Sequence, residues 1–451
     1  MSQIQQLSRV PAFPLSAAAD RATAQPGLGR AELAERFARV RGRSCALAAP
    51  LSAEDQCIQS MPDASPTKWH LAHTAWFFEA VVLSSHDPGY EPFDQRFFHL
   101  FNSYYESLGP RHPRPHRGLL TRPSHDEVMA YRGHVDRAML RFMETADDET
   151  WAHSCTLVEL GLNHEEQHQE LILTDILHAF SCNPLLPAYS TAYLAADSPA
   201  STLAHAAPDA PSLRLVHGKP GIDWVSHPGG IVNVGHAGEG FAFDNETPRH
   251  KALLAPYLIA DRLVNCGEYA AFIADGGYER ASLWLSDGWA AVQAGGWKAP
   301  IYWIAPGDPR APSDEWQVFG LAGVRPLDHA SPVTQLSFYE ACAYALWAGA
   351  RLPTEFEWEA ALSAPEHGRV TQMTGHAWQW TRSSYDPYPG FKPNPGAVAE
   401  YNGKFMVSQL VLRGGSSATP HGHTRATYRN FFPPATRWQF SGVRLAKDAA
   451  C

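Results

Sequence analysis

The sequence predicts an α+β chain, helical in its first part and irregular in its second, and three observations lead there. Between about residues 30 and 180, apolar side chains recur at three- and four-residue spacing, the period of a helix face. A stretch rich in Pro, Ala and Ser follows, with Pro184, Pro187, Pro199, Pro208 and Pro211. Beyond it, short apolar runs alternate with Gly, Pro, Asn and many aromatics, the texture of short strands joined by long loops. The expected organisation is a flexible tail over 1–30, a helical bundle over 31–182, a linker over 183–219 and an irregular α+β domain over 220–451.

Each part follows from its residues. The first thirty positions are rich in Ala, Pro, Ser and Gln and lack the charged-then-apolar pattern of a secretory signal. Arg30–Val40 and Glu127–Thr145 carry amphipathic spacing. Thr156–Phe180 is the longest such pattern, with Leu157, Leu160, His164, His168, Leu171, Ile172 and Asp175 near one stripe. Several long helices joined by loops predict a bundle. In the second part, the segments 229–235, 257–260 and 411–416 read as short strands and turns, and no internal repeat is visible.

Bulk properties narrow the function. A length of 451 residues is enough for two or three domains with real cores, and 45% hydrophobic against 18% charged residues is a globular balance. A formal net charge of -10 without a Lys/Arg-rich run argues against nucleic acid as a partner. No apolar run approaches the roughly 18 residues that span a bilayer, so no membrane association is expected. The seven cysteines are widely spaced and form no C-x-x-C, which disfavours a disulfide framework and a structural zinc site. A reducing cytoplasm is the expected compartment.

The sharpest local signal is His164-Glu165-Glu166-Gln167-His168-Gln169-Glu170. Residues four apart on a helix lie one turn up on nearly the same face, so two imidazoles can reach one metal ion. Imidazole suits iron, zinc, copper and nickel alike, and spacing alone does not choose among them. The run also matches H-E-x-x-H, in which the glutamate would be the base of a zinc peptidase. The longer peptidase pattern with a third histidine fails, because its places hold Leu171 and Thr174. An isolated pair of this kind is as often a plain helix surface. A second segment, Ser65-Pro66-Thr67-Lys68-Trp69-His70-Leu71-Ala72-His73, starts a helix at Pro66 and runs into aromatic residues that belong in a core. A histidine there that meets the pair on another helix is a third ligand.

Together these segments resemble the sulfoxide synthases of ergothioneine biosynthesis (the EgtB family), which join a DinB-like helical bundle to a formylglycine-generating-enzyme-like, C-type-lectin-like α+β domain. The resemblance rests on residues 69–73, residues 163–170 and the C-terminal blocks 244–250, 351–359, 378–381, 413–416 and 442–446. It implies that His73, His164 and His168 hold iron(II), leaving positions for a chalcogen donor, a substrate imidazole and dioxygen. The implied reaction joins C2 of hercynine, the trimethylated histidine betaine, to the sulfur of cysteine as a sulfoxide. A selenosugar donor, as used by the related selenoneine synthase, is the alternative. A formylglycine-generating activity is not expected, since that chemistry needs a cysteine pair near Arg413-Gly414-Gly415 and none occurs until Cys451.

The resemblance extends to individual residues. Tyr104 and Tyr105 stand where the cysteine-using branch has tandem tyrosines, and one of them would supply a proton, or a proton and an electron, during oxygen activation. Gln167 and Asn430 would hold hercynine. Phe431, Phe432, Trp438 and Trp380 offer aromatic faces for its trimethylammonium group. Phe432 replaces the acid found in the γ-glutamylcysteine-using branch, which disfavours that larger donor. Arg114 and Arg117 would pair with a donor carboxylate, though a solvated basic loop explains them equally well. Glu170 and Asp175 could orient ligand imidazoles from behind, and are equally natural as surface residues of the helix.

Overall fold

A computed structural model describes residues 29–190, 221–238, 240–364 and 368–449. The expected tail and linker therefore fall largely outside the described residues. The first part is built from helices α1 (Arg30–Ala48), α2 (Thr67–Phe77), α3 (His125–Thr145) and α4 (Asp148–Ser181). A capping box starts α3: the Ser124 side chain accepts from the Glu127 backbone N–H, and the Glu127 carboxylate accepts from that of Ser124. Helix α4 begins eight residues before the expected Thr156, where Asp147 caps the N–H of Thr150 and two acids occupy the first turn. That turn carries no apolar stripe, so periodicity alone does not reveal it. At 34 residues, α4 is about 50 Å long.

Every residue of α2 is buried. The helix runs on without a break into a π-helical turn, Phe78–Leu83, whose six residues are also buried. Helix α1 packs on α4, and α3 and α4 both pack on α2 and its π-helical turn. Close approach of α4 to α2 is permitted by Gly161, where a Cβ would lie 2.5 Å from the Phe78 ring.

The second part contains short strands in four small sheets. Strands β1 (Trp224–His227), β4 (Tyr257–Ala260) and β12 (Ala446–Asp448) form one, with β4 central and both neighbours antiparallel. Strands β8 (Trp378–Ser384), β9 (Leu410–Arg413), β10 (Asn430–Phe432) and β11 (Ser441–Gly442) form a second, ordered β10-β9-β8-β11. Strands β2 (Gly230–Val234) and β3 (His250–Leu254) make a hairpin, and three strands between Trp303 and Pro326 make the fourth sheet. The expected short strands near 230, 257 and 411 are all present.

The blocks shared with the formylglycine-generating scaffold serve as internal struts. Arg413 pairs with Glu359, and Arg444 donates to Gln379 at 2.7 Å and to the Ala260 carbonyl at 2.7 Å. Gly414 has a φ of +102°, and a Cβ there would lie 2.4 Å from the Met373 carbonyl oxygen. No disulfide joins the described cysteines. Among the described residues, no helix is long and apolar enough to cross a membrane.

Candidate metal centre

Helix α2 brings His73 against His164 and His168 of α4. The ring centroids are 5.0 Å apart for His73–His164, 4.7 Å for His73–His168 and 4.6 Å for His164–His168. One nitrogen from each ring lies within 4.8 Å of the other two. All three rings are buried. His73 lies between the Trp69 and Trp76 rings, nearly parallel to both. Its Nδ1 donates to the Phe101 carbonyl at 2.6 Å, and its Nε2 is buried with no hydrogen-bond partner. The Nδ1 of His164 is likewise unpartnered.

Burial, then the competing His164 ring beside it, holds His73 well below the usual histidine range. Burial brings His164 down to about 3, and burial together with the other histidines holds His168 well below the usual value. The three rings are thus neutral at physiological pH, the state in which imidazole binds a metal. Converging neutral nitrogens, one of them an orphaned buried atom, are a donor set that fits a divalent transition metal.

Glu165 points elsewhere. Its carboxylate accepts from Arg41 at 2.8 Å and from Arg132 at 3.0 Å, with no exposed side-chain surface. Burial alone would raise its pKa, but the two guanidinium groups bring it to about 2. A carboxylate locked in two ion pairs on another face of the helix is no base for a metal-bound water, and the zinc-peptidase reading fails on this geometry.

Tyr105 is fully buried, with its hydroxyl unpartnered, and stacks on Tyr104 at 4.6 Å. It packs on Trp76 and Phe77, which in turn pack on His73 and His164. Burial raises both phenols, so each keeps its proton. Arg117 lies with its guanidinium 3.4 Å from the centre of the Trp69 ring and donates to Ser65 and Ser103. Burial, then the neighbouring Arg114 charge, brings its pKa down to about 8. Arg114 is exposed and donates to the Asp63 carbonyl.

The Gln167 amide faces the second part of the chain. Its Nε2 donates to the Tyr428 hydroxyl at 2.6 Å, and its Oε1 accepts from Tyr401. Tyr401 also meets the His164 ring at 5.6 Å and stacks on Phe243 at 5.5 Å. Asn430 caps the N–H of Phe431, which stacks on Tyr385 at 4.0 Å and connects to Tyr104 through Phe405. Phe432 is half-buried against the core. Trp380 is a strut of β8, donating to the Leu336 carbonyl, and Trp438 packs near His178. Neither belongs to the aromatic wall around Gln167, which consists of Tyr401, Tyr428 and Phe243. That wall is invisible in the sequence, because Tyr401 and Tyr428 meet Gln167 across 234 and 261 residues with no shared spacing.

Fold and site together define a protein of two joined parts, a helical unit whose three histidines could hold a metal and a small-sheet α+β unit. A family model described as the DinB superfamily matches residues 36–172, and one described as a sulfatase-modifying factor enzyme 1-like domain matches 217–370 and 366–449. The chain is 33% identical to a hercynine oxygenase of Mycobacterium tuberculosis, over 92% of this chain and 99% of that one. It is 32% identical to the hercynine oxygenase of Mycolicibacterium thermoresistibile, over 93% and 95% of the two chains. Ergothioneine biosynthesis protein 1 of Schizosaccharomyces pombe is 25% identical over 46% of this chain and 28% of its own length. The chain belongs to the hercynine oxygenase (EgtB) family.

Proposed function

We propose that this protein is an iron(II)- and dioxygen-dependent sulfoxide synthase that joins C2 of the hercynine imidazole to the sulfur of cysteine. The observation that carries the reading is the buried meeting of three neutral imidazoles, His73, His164 and His168, in a chain that matches hercynine oxygenases over nearly its whole length. These residues would hold the iron. Bound iron(II) supplies open positions for thiolate, imidazole and dioxygen, and the electrons that begin oxygen activation. The overall reaction balances without an external reductant. The substrate C–H and S–H bonds are exchanged for a C–S bond, sulfur gains one oxygen atom, and the other oxygen leaves as water.

The remaining roles belong to the chain's own side chains. Gln167, held by Tyr401 and Tyr428, presents a fixed amide beside the histidines for the hercynine carboxylate or its neighbourhood. A quaternary ammonium has no N–H to donate and is held best by an aromatic face. Arg425 already lies over Phe243 and Tyr428, 5.3 and 4.9 Å from their centres, so Tyr401, stacked on Phe243 through one face, is the ring that would receive it. Phe431, its N–H capped by Asn430, reaches Tyr104 through Phe405, and with Phe432 beside it on β10 this segment would close the far side. Arg117, unpaired with any carboxylate in its hydrogen bonds, is the donor-carboxylate residue, with Arg114 outside it. One of Tyr104 and Tyr105, both kept protonated by burial, would deliver the proton, and Tyr401 is a third phenol beside His164.

The test is direct. Iron(II) protein is mixed without air with hercynine and cysteine, air is admitted, and the hercynylcysteine sulfoxide is sought by mass spectrometry. Product with a selenosugar and none with cysteine would move the reading to C–Se bond formation. No product with either donor would overturn it.

A further inference from the structure

Behind His168 lies a second histidine that the metal centre does not use. His70 sits one turn before His73 on α2 and is buried. Its Nδ1 faces the Nδ1 of His168 at 2.8 Å, and its Nε2 lies 2.9 Å from Oδ2 of Asp175. Asp175 is two turns beyond His168 on α4, buried as well, and the same oxygen accepts the Ser65 backbone N–H at 2.8 Å. The chain of contacts thus runs from the start of α2, through a carboxylate on α4, back to α2 and out to a ligand on α4.

With His70 and His168 both neutral and His168 a ligand, hydrogen counting leaves one arrangement. A carboxylate has no hydrogen to give, so His70 Nε2 carries one. A neutral ring has a single N–H, so His70 Nδ1 is an acceptor. His168 Nδ1 must then donate, which leaves the Nε2 lone pair of His168 free. The reverse arrangement would put the hydrogen on His168 Nε2 and block it as a ligand. His73 is fixed by the same logic through the Phe101 carbonyl, a backbone group that no side-chain substitution removes. His168 depends instead on two side chains.

We propose that His70 and Asp175 are positioning residues, a carboxylate–imidazole relay that fixes the hydrogen and the ring orientation of His168 for metal binding. The relay rests on the metal reading above. It gives His168 what a carboxylate partner usually gives a ligating histidine, with an imidazole inserted between them. It also brings one negative charge toward a centre whose ligands are all neutral. Each element of α2–α4 contact carries part of it, so the relay ties ligand orientation to the packing of those two helices.

The measurement is ferrous-ion affinity of the full chain, read without air by competition against a chromogenic chelator. Wild type, His70→Phe, Asp175→Asn and the double variant are compared, with melting of the metal-free proteins as the control for folding. His70→Phe keeps the ring volume and the Asp175–Ser65 contact. Each single variant should bind iron(II) about 10–100-fold more weakly while melting near wild type. The double variant should be no weaker than the weaker single, since both act through one path. The visible spectrum of the cobalt(II)-loaded protein should shift in both singles, a change that a merely structural role would not produce. If His70→Phe does not fold, His70→Asn reads the same quantity. Wild-type affinity in the variants, or losses that simply add, would overturn the relay while leaving the metal centre standing. Wild-type protein that binds no iron(II) would overturn the metal centre itself.

Discussion

His164 shows how much can rest on one side chain. Its ring lies within 5.0 Å of the other two ligand rings, and its neighbours Phe77 and Tyr401 pack it from two sides. His164→Ala should abolish iron binding and turnover while metal-free protein keeps its helical content, as read by metal analysis and circular dichroism. Iron retained at full occupancy would remove His164 from the ligand set. Glu165, its neighbour, carries the opposite expectation. Glu165→Gln leaves Arg132 buried without a carboxylate and Arg41 with Asp136 alone, which should cost roughly 3–5 kcal/mol in denaturant unfolding, yet spare C–S bond formation in the folded fraction. Selective loss of turnover at full stability would return the glutamate to the chemistry. Of Tyr104→Phe and Tyr105→Phe, at least one should lose sulfoxide product by mass spectrometry, and wild-type yield from both would end their assignment as proton donors.

At the scale of elements, the meeting of α2 and α4 decides whether three imidazoles converge. Gly161 lets α4 lie against the Phe77 and Phe78 rings, with a Cβ at that position only 2.5 Å from Phe78. Gly161→Ala should therefore destabilise the protein by about 1–3 kcal/mol and weaken iron binding, because the displaced helix carries His164 and His168. An unchanged melting temperature and iron affinity would show that the aromatic run can yield. The helices themselves were legible from apolar spacing and the His164–His168 pair from its i,i+4 placement, whereas His73 rather than His70 was named by the resemblance to sulfoxide synthases. The first two turns of α4 were not, because Asp147 and the acids after it start a helix through capping rather than through an apolar stripe.

At the scale of the whole molecule, the two parts are joined beside the site by Glu400. Its carboxylate accepts the backbone N–H groups of Glu106 at 3.2 Å and Ser107 at 2.9 Å, just after the tyrosine pair, and pairs with Lys404 at 2.6 Å. Burial alone would raise this group, but Lys404 and the Ser107 amide hold it at about 2, against 4.5 for a free glutamate. A depressed carboxylate stabilises the fold fully above its unfolded pKa and loses that contribution as pH falls toward the folded value. The melting-temperature gap between wild type and Glu400→Gln should accordingly be open at neutral pH and close between about 4.5 and 2. A gap that persists at the acid end would mean the charge is not what joins the parts. Contacts of this kind escaped the sequence. Glu166 meets His423 across 257 residues and Gln167 meets Tyr401 across 234, and no periodicity links such distant partners. The resemblance to sulfoxide synthases pointed to Asn430 and Phe431 in that region, whereas the residues in direct contact with Gln167 are Tyr401 and Tyr428.

Two turns of α4 hold His164 and His168 with Gln167 beside them, and turn Glu166 and Glu170 toward the second part, the last accepting from Trp378, Ser416 and Thr419. Occupancy and docking therefore share a single rigid rod, and their free energies are reciprocal: whatever tightens one must tighten the other by the same factor. A protease acting on the starved enzyme should consequently find the seam between the halves open more often than in the loaded one, and severing that seam should in turn loosen the ion.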